Sequence, residues 1–277
     1  MSSETAARPP IPVRQVSLPF DPSIPRHWFA GNALETHIFN GLNLLFPDGE
    51  RFFIASVQEA LPRVRDPELR RQVKGFFGQE ALHAREHERY FDVLRAQDYR
   101  VDRFLRRFRR YCEWNSRWLP APLRLAMTAG AEHWTATLGA SVLRGPALDA
   151  AHPTMRMLAL WHAAEEVEHR SVAFDVLQET HPGYLLRVTG FLLATASLFV
   201  WAAVGTRMLL RQDGISRHEV QALHRAARAR GAGHLPELVR QGFWVYLRRD
   251  FHPSQDDALA EAEARLAELG LAGAASA

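Results

Sequence analysis

Cysteine and lysine are almost missing from this chain: of 277 residues, one is cysteine (Cys112) and one is lysine (Lys74). A single thiol excludes an internal disulfide framework and fits a reducing compartment. Positive charge falls to arginine, and a formal net charge of +3 is too small to argue for nucleic acid as a partner. The cluster Arg103, Arg106, Arg107, Arg109 and Arg110 reads as a solvated helix face, with a docking patch for an acidic partner or lipid headgroups as the alternative. Runs that alternate polar and apolar residues are also scarce, while helical periodicity persists throughout, so the expected class is all-α. The N-terminus (Met-Ser-Ser-Glu-Thr-Ala-Ala-Arg-Pro-Pro) lacks the apolar core of a signal peptide. Residues 1–25 are therefore expected to be a flexible arm and the protein cytoplasmic.

What the chain does have is an order of acids and imidazoles. Two Glu-x-x-His pairs, Glu80/His83 and Glu166/His169, each follow a lone glutamate, Glu50 and Glu132, by about thirty residues. Pro62 and Pro67 bracket a break between the first Glu and its pair; Gly145-Pro146 and His152-Pro153 bracket a break between the second Glu and its pair. Glu50 lies 12 residues before Pro62 and Glu80 13 after Pro67, while Glu132 lies 12 before Arg144 and Glu166 13 after Pro153. At about 1.5 Å per residue, each arm is roughly 18–20 Å long. If both breaks are hairpin turns, all six side chains reach one level. A four-helix bundle with that layer can hold two metal ions.

Periodicity turns the six residues inward. Val73, Phe76, Glu80, His83, His87, Tyr90 and Leu94 recur at helical spacing, as do Met155, Leu158, His162, Glu166, His169, Val172 and Val176. Leu125, Ala129, Glu132, Ala136 and Gly139 form a third such stripe. Burying four carboxylates unpaired would be prohibitive, and two divalent cations neutralise them charge for charge. One Glu-x-x-His alone is more often a surface pair; two matched copies on apolar stripes are not. His87 and His162, a turn from the proposed ligands, are either partners of ligand imidazoles or simply buried. Glu165, about 100° around from Glu166, is a neighbouring or shifting carboxylate. Glu59 reads as solvated, and Asp175 as paired with a nearby arginine.

The segments Phe46-Pro-Asp-Gly-Glu-Arg-Phe-Phe53, Gln79-Glu-Ala-Leu-His-Ala-Arg-Glu-His87, Thr128-Ala-Gly-Ala-Glu-His-Trp-Thr135 and Trp161–Asp175 resemble a bacterial family of predicted metal-dependent hydrolases, over roughly His27 to Arg211. More distantly, the ligand order resembles ferritin-like di-iron proteins, such as ribonucleotide reductase radical subunits, fatty-acyl desaturases and multicomponent monooxygenases. The resemblance implies a ferritin-like four-helix bundle with additional flanking helices. It also implies Glu50, Glu80, His83, Glu132, Glu166 and His169 as metal ligands and catalytic residues, around two metal ions that are iron, manganese or zinc. Radical-forming subunits commonly carry a tyrosine one turn after the first histidine; here that position is His87, with Tyr90 a turn further, which disfavours a stable tyrosyl radical.

Three functions fit such a site. Oxygen-dependent oxidation of an apolar small molecule, with electrons from a donor protein, suits carboxylate-rich ligation best. Hydrolysis by a bridging metal-bound water is the second, and non-catalytic metal handling the third. Glu80 and Glu132 are candidates to bridge the metals, with Glu50 and Glu166 as terminal or chelating carboxylates, although the spacing does not decide which two glutamates bridge. Trp134, Trp161 and Phe53 are expected in core packing rather than in a pocket wall.

The remaining chain is organised around one domain, 26–212, and a C-terminal helical extension, 213–277, in which Asp256 to Leu269 reads as an amphipathic helix ending at Gly270. Within the domain, Val188 to Thr206 carries no charge. It is expected as a buried or dimer-interface helix, with contact to or passage through a membrane as the alternative.

Overall fold

Proline marks the starts of α2 (Phe46–Ala60), α3 (Pro67–Ala96), α5 (Ala121–Arg144) and α6 (Pro153–His169). Pro47 lies in the first turn of α2, and Pro67 and Pro153 open α3 and α6, where a missing N–H has no intrahelical partner to lose. Asp66 caps α3 by accepting from the Glu68 amide at 2.8 Å. Asn32 does the same for α1 (Ala33–Asn43), accepting from the amides of Leu34 and Glu35. The computed structural model describes residues 11–146, 148–229 and 235–272. They are all-α, with one isolated bridge between Phe29 and Ala151. The further helices are α4 (Asp102–Trp118), α7 (Val172–Thr180), α8 (Tyr184–Gln212), α9 (Arg217–Ala229), α10 (Leu235–Tyr246) and α11 (Leu259–Glu268).

The two breaks are turns, as the spacing predicts, and α2 packs on α3 and α5 on α6. Contacts of α2 with α5 and of α3 with α6 and α7 join the hairpins around a shared interior. Outside them, α8 lies along α5 and α1, and α11 along α6. The approach of α8 to α5 is made by glycine: a Cβ on Gly130 would stand 2.7 Å from Phe191 Cα, closer than real side chains pack. Trp134 is part of this contact, stacked on Phe191 and donating to Thr195 Oγ1 at 2.8 Å.

Three features differ from the sequence expectation. Residues 11–25, expected as part of a flexible arm, lie along α3 with Ile11, Val16, Leu18 and Ile24 buried; residues 1–10 lie outside the described residues. Gly75 and Gly78 make room for this, because a Cβ on either would collide with Ile11 or Val13. The stripe from Met155 to Val176 is not one helix: it breaks at Arg170–Ser171. No proline or glycine marks the break. Arg170 Nη1 donates to Val167 O at 2.6 Å, taking the carbonyl that the helical ladder would offer to residue 171. Finally, α8 is not enclosed. It is the one described helix long and apolar enough to cross a membrane by length and composition, yet only 22% of its apolar window is buried. Leu192, Leu193, Val200 and Val204 face outward.

Candidate metal centre

The six side chains singled out from spacing meet between α2, α3, α5 and α6. Glu50, Glu80, His83, Glu132, Glu166 and His169 are 0–4% exposed. Their donor atoms form overlapping groups within 4.8 Å of one another: Glu80, Glu132, Glu166 and His169 in one, Glu50, Glu80 and His83 in a second, His83, His162 and Glu166 in a third. Glu80 and Glu166 are the carboxylates that occur beside both imidazoles. Each Glu-x-x-His helix places its acid beside the two histidines, and each lone Glu is grouped with only one of them.

Around His169 three carboxylates converge on one ring nitrogen. Nε2 lies 3.1 Å from Glu80 Oε1, 3.2 Å from Glu132 Oε2 and 3.4 Å from Glu166 Oε2. An ion with bonds of about 2.1 Å separates neighbouring donors by roughly 3.0–3.4 Å. Each of the six residues also has a buried polar atom with no hydrogen-bond partner: both oxygens of Glu50, Glu80 and Glu132, Oε2 of Glu166, Nδ1 of His83 and Nε2 of His169. Buried polar groups are normally satisfied, so such a concentration in one place fits a cation.

The other nitrogen of each imidazole is fixed from outside. Gln79 Nε2 donates to Pro12 O and to Glu168 Oε2, both at 2.9 Å, which leaves Gln79 Oε1 as an acceptor for His169 Nδ1–H at 2.9 Å. His169 therefore turns Nε2 toward the centre. His83 does the converse: Nε2 donates to Glu165 Oε2 at 3.0 Å, and Nδ1 faces Glu166 Oε1 at 3.6 Å. Arg14 joins both arrangements. Its guanidinium holds Glu165 at 3.0 Å and both oxygens of Glu168 at 2.7 Å. Such outer partners orient ligand imidazoles and raise their basicity. Gln79 sits inside a motif already noted, one residue before Glu80, and could have been read as its companion. Arg14 carried no signal, because nothing in a proline-rich leader marks which residue folds back.

His162 and His87 form a second line. His162 Nε2 is 2.7 Å from Glu166 Oε1, and His162 Nδ1 is 2.6 Å from His87 Nε2. Phe46 covers both rings, and Trp161 and Phe76 pack edge-on against His83 and His169. Of the three aromatics weighed from sequence, Trp134 and Trp161 are fully buried, while Phe53 lines a small cavity together with Glu50. Glu59 is exposed beside Arg124, and Asp175 bonds His252 at 2.8 Å.

Electrostatics agree with crowding that protons relieve only in part. Burial, then the charge of Glu80 and Glu166, pushes the Glu50 carboxyl well above the usual range; burial and Glu132 do the same to Glu80. Burial lifts Glu132 to about 7 against the pull of His169. It opposes ionisation of Glu166 too, yet His169 and His162 hold that carboxyl well below its ordinary value. Burial also resists charge on His169, but Glu166 and Glu132 raise it well above the imidazole range. His83 and His87 fall well below it through burial and the nearby His162. Cations entering this set would displace protons.

A family model described as predicted metal-dependent hydrolase matches residues 12–257 of the chain. No curated protein and no solved structure matches it.

Proposed function

The chain belongs to the family of predicted metal-dependent hydrolases, and from that premise we propose a ferritin-like dinuclear metalloenzyme that oxidises an apolar small molecule with O₂. The observation that carries this reading is the set of orphaned donor atoms on all six buried residues, with both imidazoles oriented from outside. Four carboxylates and two imidazoles are a hard, oxygen-rich donor set that suits iron first, with manganese or zinc as alternatives. Two reduced irons held there would supply the electrons and open positions that O₂ activation needs, replenished by an electron-donor protein.

Glu50, Glu80, His83, Glu132, Glu166 and His169 would hold the metals, with Glu80 and Glu166 placed beside both imidazoles. Gln79 and Glu165 hold the imidazole tautomers, and Phe46, Phe76 and Trp161 exclude water from the rings. The line Glu166–His162–His87 can carry a proton away from the centre.

That same relay favours a second reading. A histidine 2.7 Å from a shared carboxylate can also serve metal-dependent hydrolysis, as the family's description has it. Metal analysis of protein purified without chelator, together with optical spectroscopy and an oxygen electrode, separates the two. Two irons with reductant-dependent O₂ uptake support oxidation. Zinc or manganese with O₂-independent ester cleavage supports hydrolysis, and reversible iron loading without turnover points to metal handling. Less than two equivalents of any of these metals after loading refutes the dinuclear centre.

A further inference from the structure

The cavities of the protein form a series that ends at the metal centre. A groove of about 1030 Å³ opens between α1, α5, α8, α9 and α10, with Phe39, Leu42, Leu138 and Val142 among its lining residues. The same four side chains line an inner cavity of about 90 Å³ that also bears His87, His162 and Glu166. Phe46, Thr135 and Leu198 are common to that cavity and to another of about 80 Å³, where Glu50 is the lone acid in the lining. A volume at the upper end of the small-molecule range, mostly apolar and contiguous with reactive groups, is what a long apolar ligand requires.

The outer groove is not apolar at every point. Arg207, Arg211 and Arg217 line it and are exposed. None has an ion-pair or hydrogen-bond partner among the described residues. Several other surface arginines are paired, Arg51 with Glu88, Arg95 with Asp102 and Arg144 with Asp256. The acids near the groove are already committed. Glu219 accepts from the Ser216 amide at 2.8 Å while Ser216 Oγ accepts from the Glu219 amide at 3.2 Å, a capping box for α9. Glu237 holds Arg240 and Gln241, and Asp213 holds His27, His37 and Tyr99. Three unneutralised guanidinium forks suit an anionic oxygen group.

We propose that this series of cavities binds a long-chain anionic amphiphile, its carboxylate or phosphate head at Arg207, Arg211 and Arg217 and its chain running inward past Phe39 and Leu138 toward His162 and Glu166. The inference deepens the reading above by naming the substrate class of the same centre, and it depends on that centre for chemistry but not for binding. The head group selects for charge, the groove selects for chain length, and the end of the chain is the part delivered to the metals.

Calorimetric titration with octanoate, decanoate, decyl phosphate and decanol, each below its micelle concentration, tests this. All three anions are expected to bind, with affinity rising roughly three- to fourfold per added methylene from octanoate to decanoate, and decanol at least tenfold more weakly than decanoate. The double variant Arg207→Gln/Arg211→Gln should lose that preference for the anion while keeping its affinity for decanol. Leu138→Trp, which narrows the passage to the inner cavity, should flatten the dependence on chain length. Equal binding of decanol and decanoate, or an unchanged anion preference in the double variant, overturns the proposal. So does sedimentation with phosphatidylglycerol vesicles in the absence of any binding to monomeric decanoate, which would make the arginines a membrane-surface contact. Metal content is measured separately. Arginine-dependent binding to a protein that holds no metal would sink the dinuclear reading alone, and two metals without amphiphile binding would sink this inference alone.

Discussion

Asp213 and Glu166 each lie between two histidines, yet the two places end in opposite states. Asp213 Oδ2 is 2.7 Å from His27 Nε2 and 2.6 Å from His37 Nε2, Oδ1 accepts from Arg26 at 2.8 Å, and Tyr99 donates to both oxygens at 2.9 Å. Every lone pair there is spoken for, and a cationic guanidinium stands beside it. Around Glu166 the acids outnumber the donors, and the oxygens of Glu50, Glu80 and Glu132 have no hydrogen bond at all. Both groups bring their donor atoms within 4.8 Å of one another. What separates them is satisfaction of the carboxylates: Asp213 is bonded on both oxygens in a clamp joining α1, the α3–α4 turn and the end of α8, whereas the carboxylates around Glu166 keep orphaned oxygens that a cation would satisfy.

The largest effect that could break this comparison is at the lone glutamate. Glu132→Ala or His83→Ala should abolish binding of the metal pair, read as metal equivalents after loading and gel filtration; two equivalents retained in either variant would refute the assignment. Asp213→Asn should leave metal content unchanged. Loading should also protect the parent protein against heat, by about 2.7 kcal/mol with free metal at a hundredfold over its dissociation constant. Neither Glu132→Ala nor His83→Ala should gain that protection, as differential scanning fluorimetry would read.

A smaller effect is expected one layer out. Arg14→Gln removes the group that braces Glu165 and Glu168, and through them His83 and His169. Metal affinity should fall by about 10–100-fold, measured by competition with a chelator, while the helical fold persists. Arg14→Lys, which keeps the charge but not the fork, should recover only part of the loss. An affinity equal to that of the parent protein would show that the leader is packing alone.

That leader also shows what the sequence could and could not disclose. The ligand layer was legible because it rests on local rules: proline-bounded turns of fixed position, a rise of about 1.5 Å per residue, and acids replacing apolar residues at helical spacing. The docking of residues 11–25 was not, because it depends on the absence of side chains at Gly75 and Gly78 on another element, and glycine inside a helix announces nothing about what will lie over it. The break at Arg170 was hidden for a similar reason, since a guanidinium rather than a proline interrupts the ladder there. That Glu80 and Glu166 stand beside both imidazoles needed three-dimensional levels, which spacing along the chain fixes only for each hairpin separately. The outward face of α8 follows from having one neighbour layer instead of two, a fact of topology that hydropathy does not contain.

The smallest effect belongs to the closed cluster and works through stability alone. Burial opposes ionisation of Asp213, but bonds from His37, His27 and Tyr99 outweigh it and hold its carboxyl at about 2 instead of the ordinary 3.8. A depressed carboxyl contributes stability above its unfolded value and loses it as pH falls toward the folded one. The contribution should therefore be complete above about pH 4 and gone near pH 2. With Arg26 and His27 partly open to water, its size is about 1–2 kcal/mol. Asp213→Asn should lower the melting temperature by a few degrees at pH 7 and narrow the gap from the parent protein as acid titrates both. The same acid range should strip metal from the Glu166 cluster in the parent and in Asp213→Asn alike, because there protons compete with cations for the same oxygens. If Asp213→Asn instead lost metal at neutral pH, the two clusters would be coupled through α1 and α3, and the distinction between clamp and centre would fall.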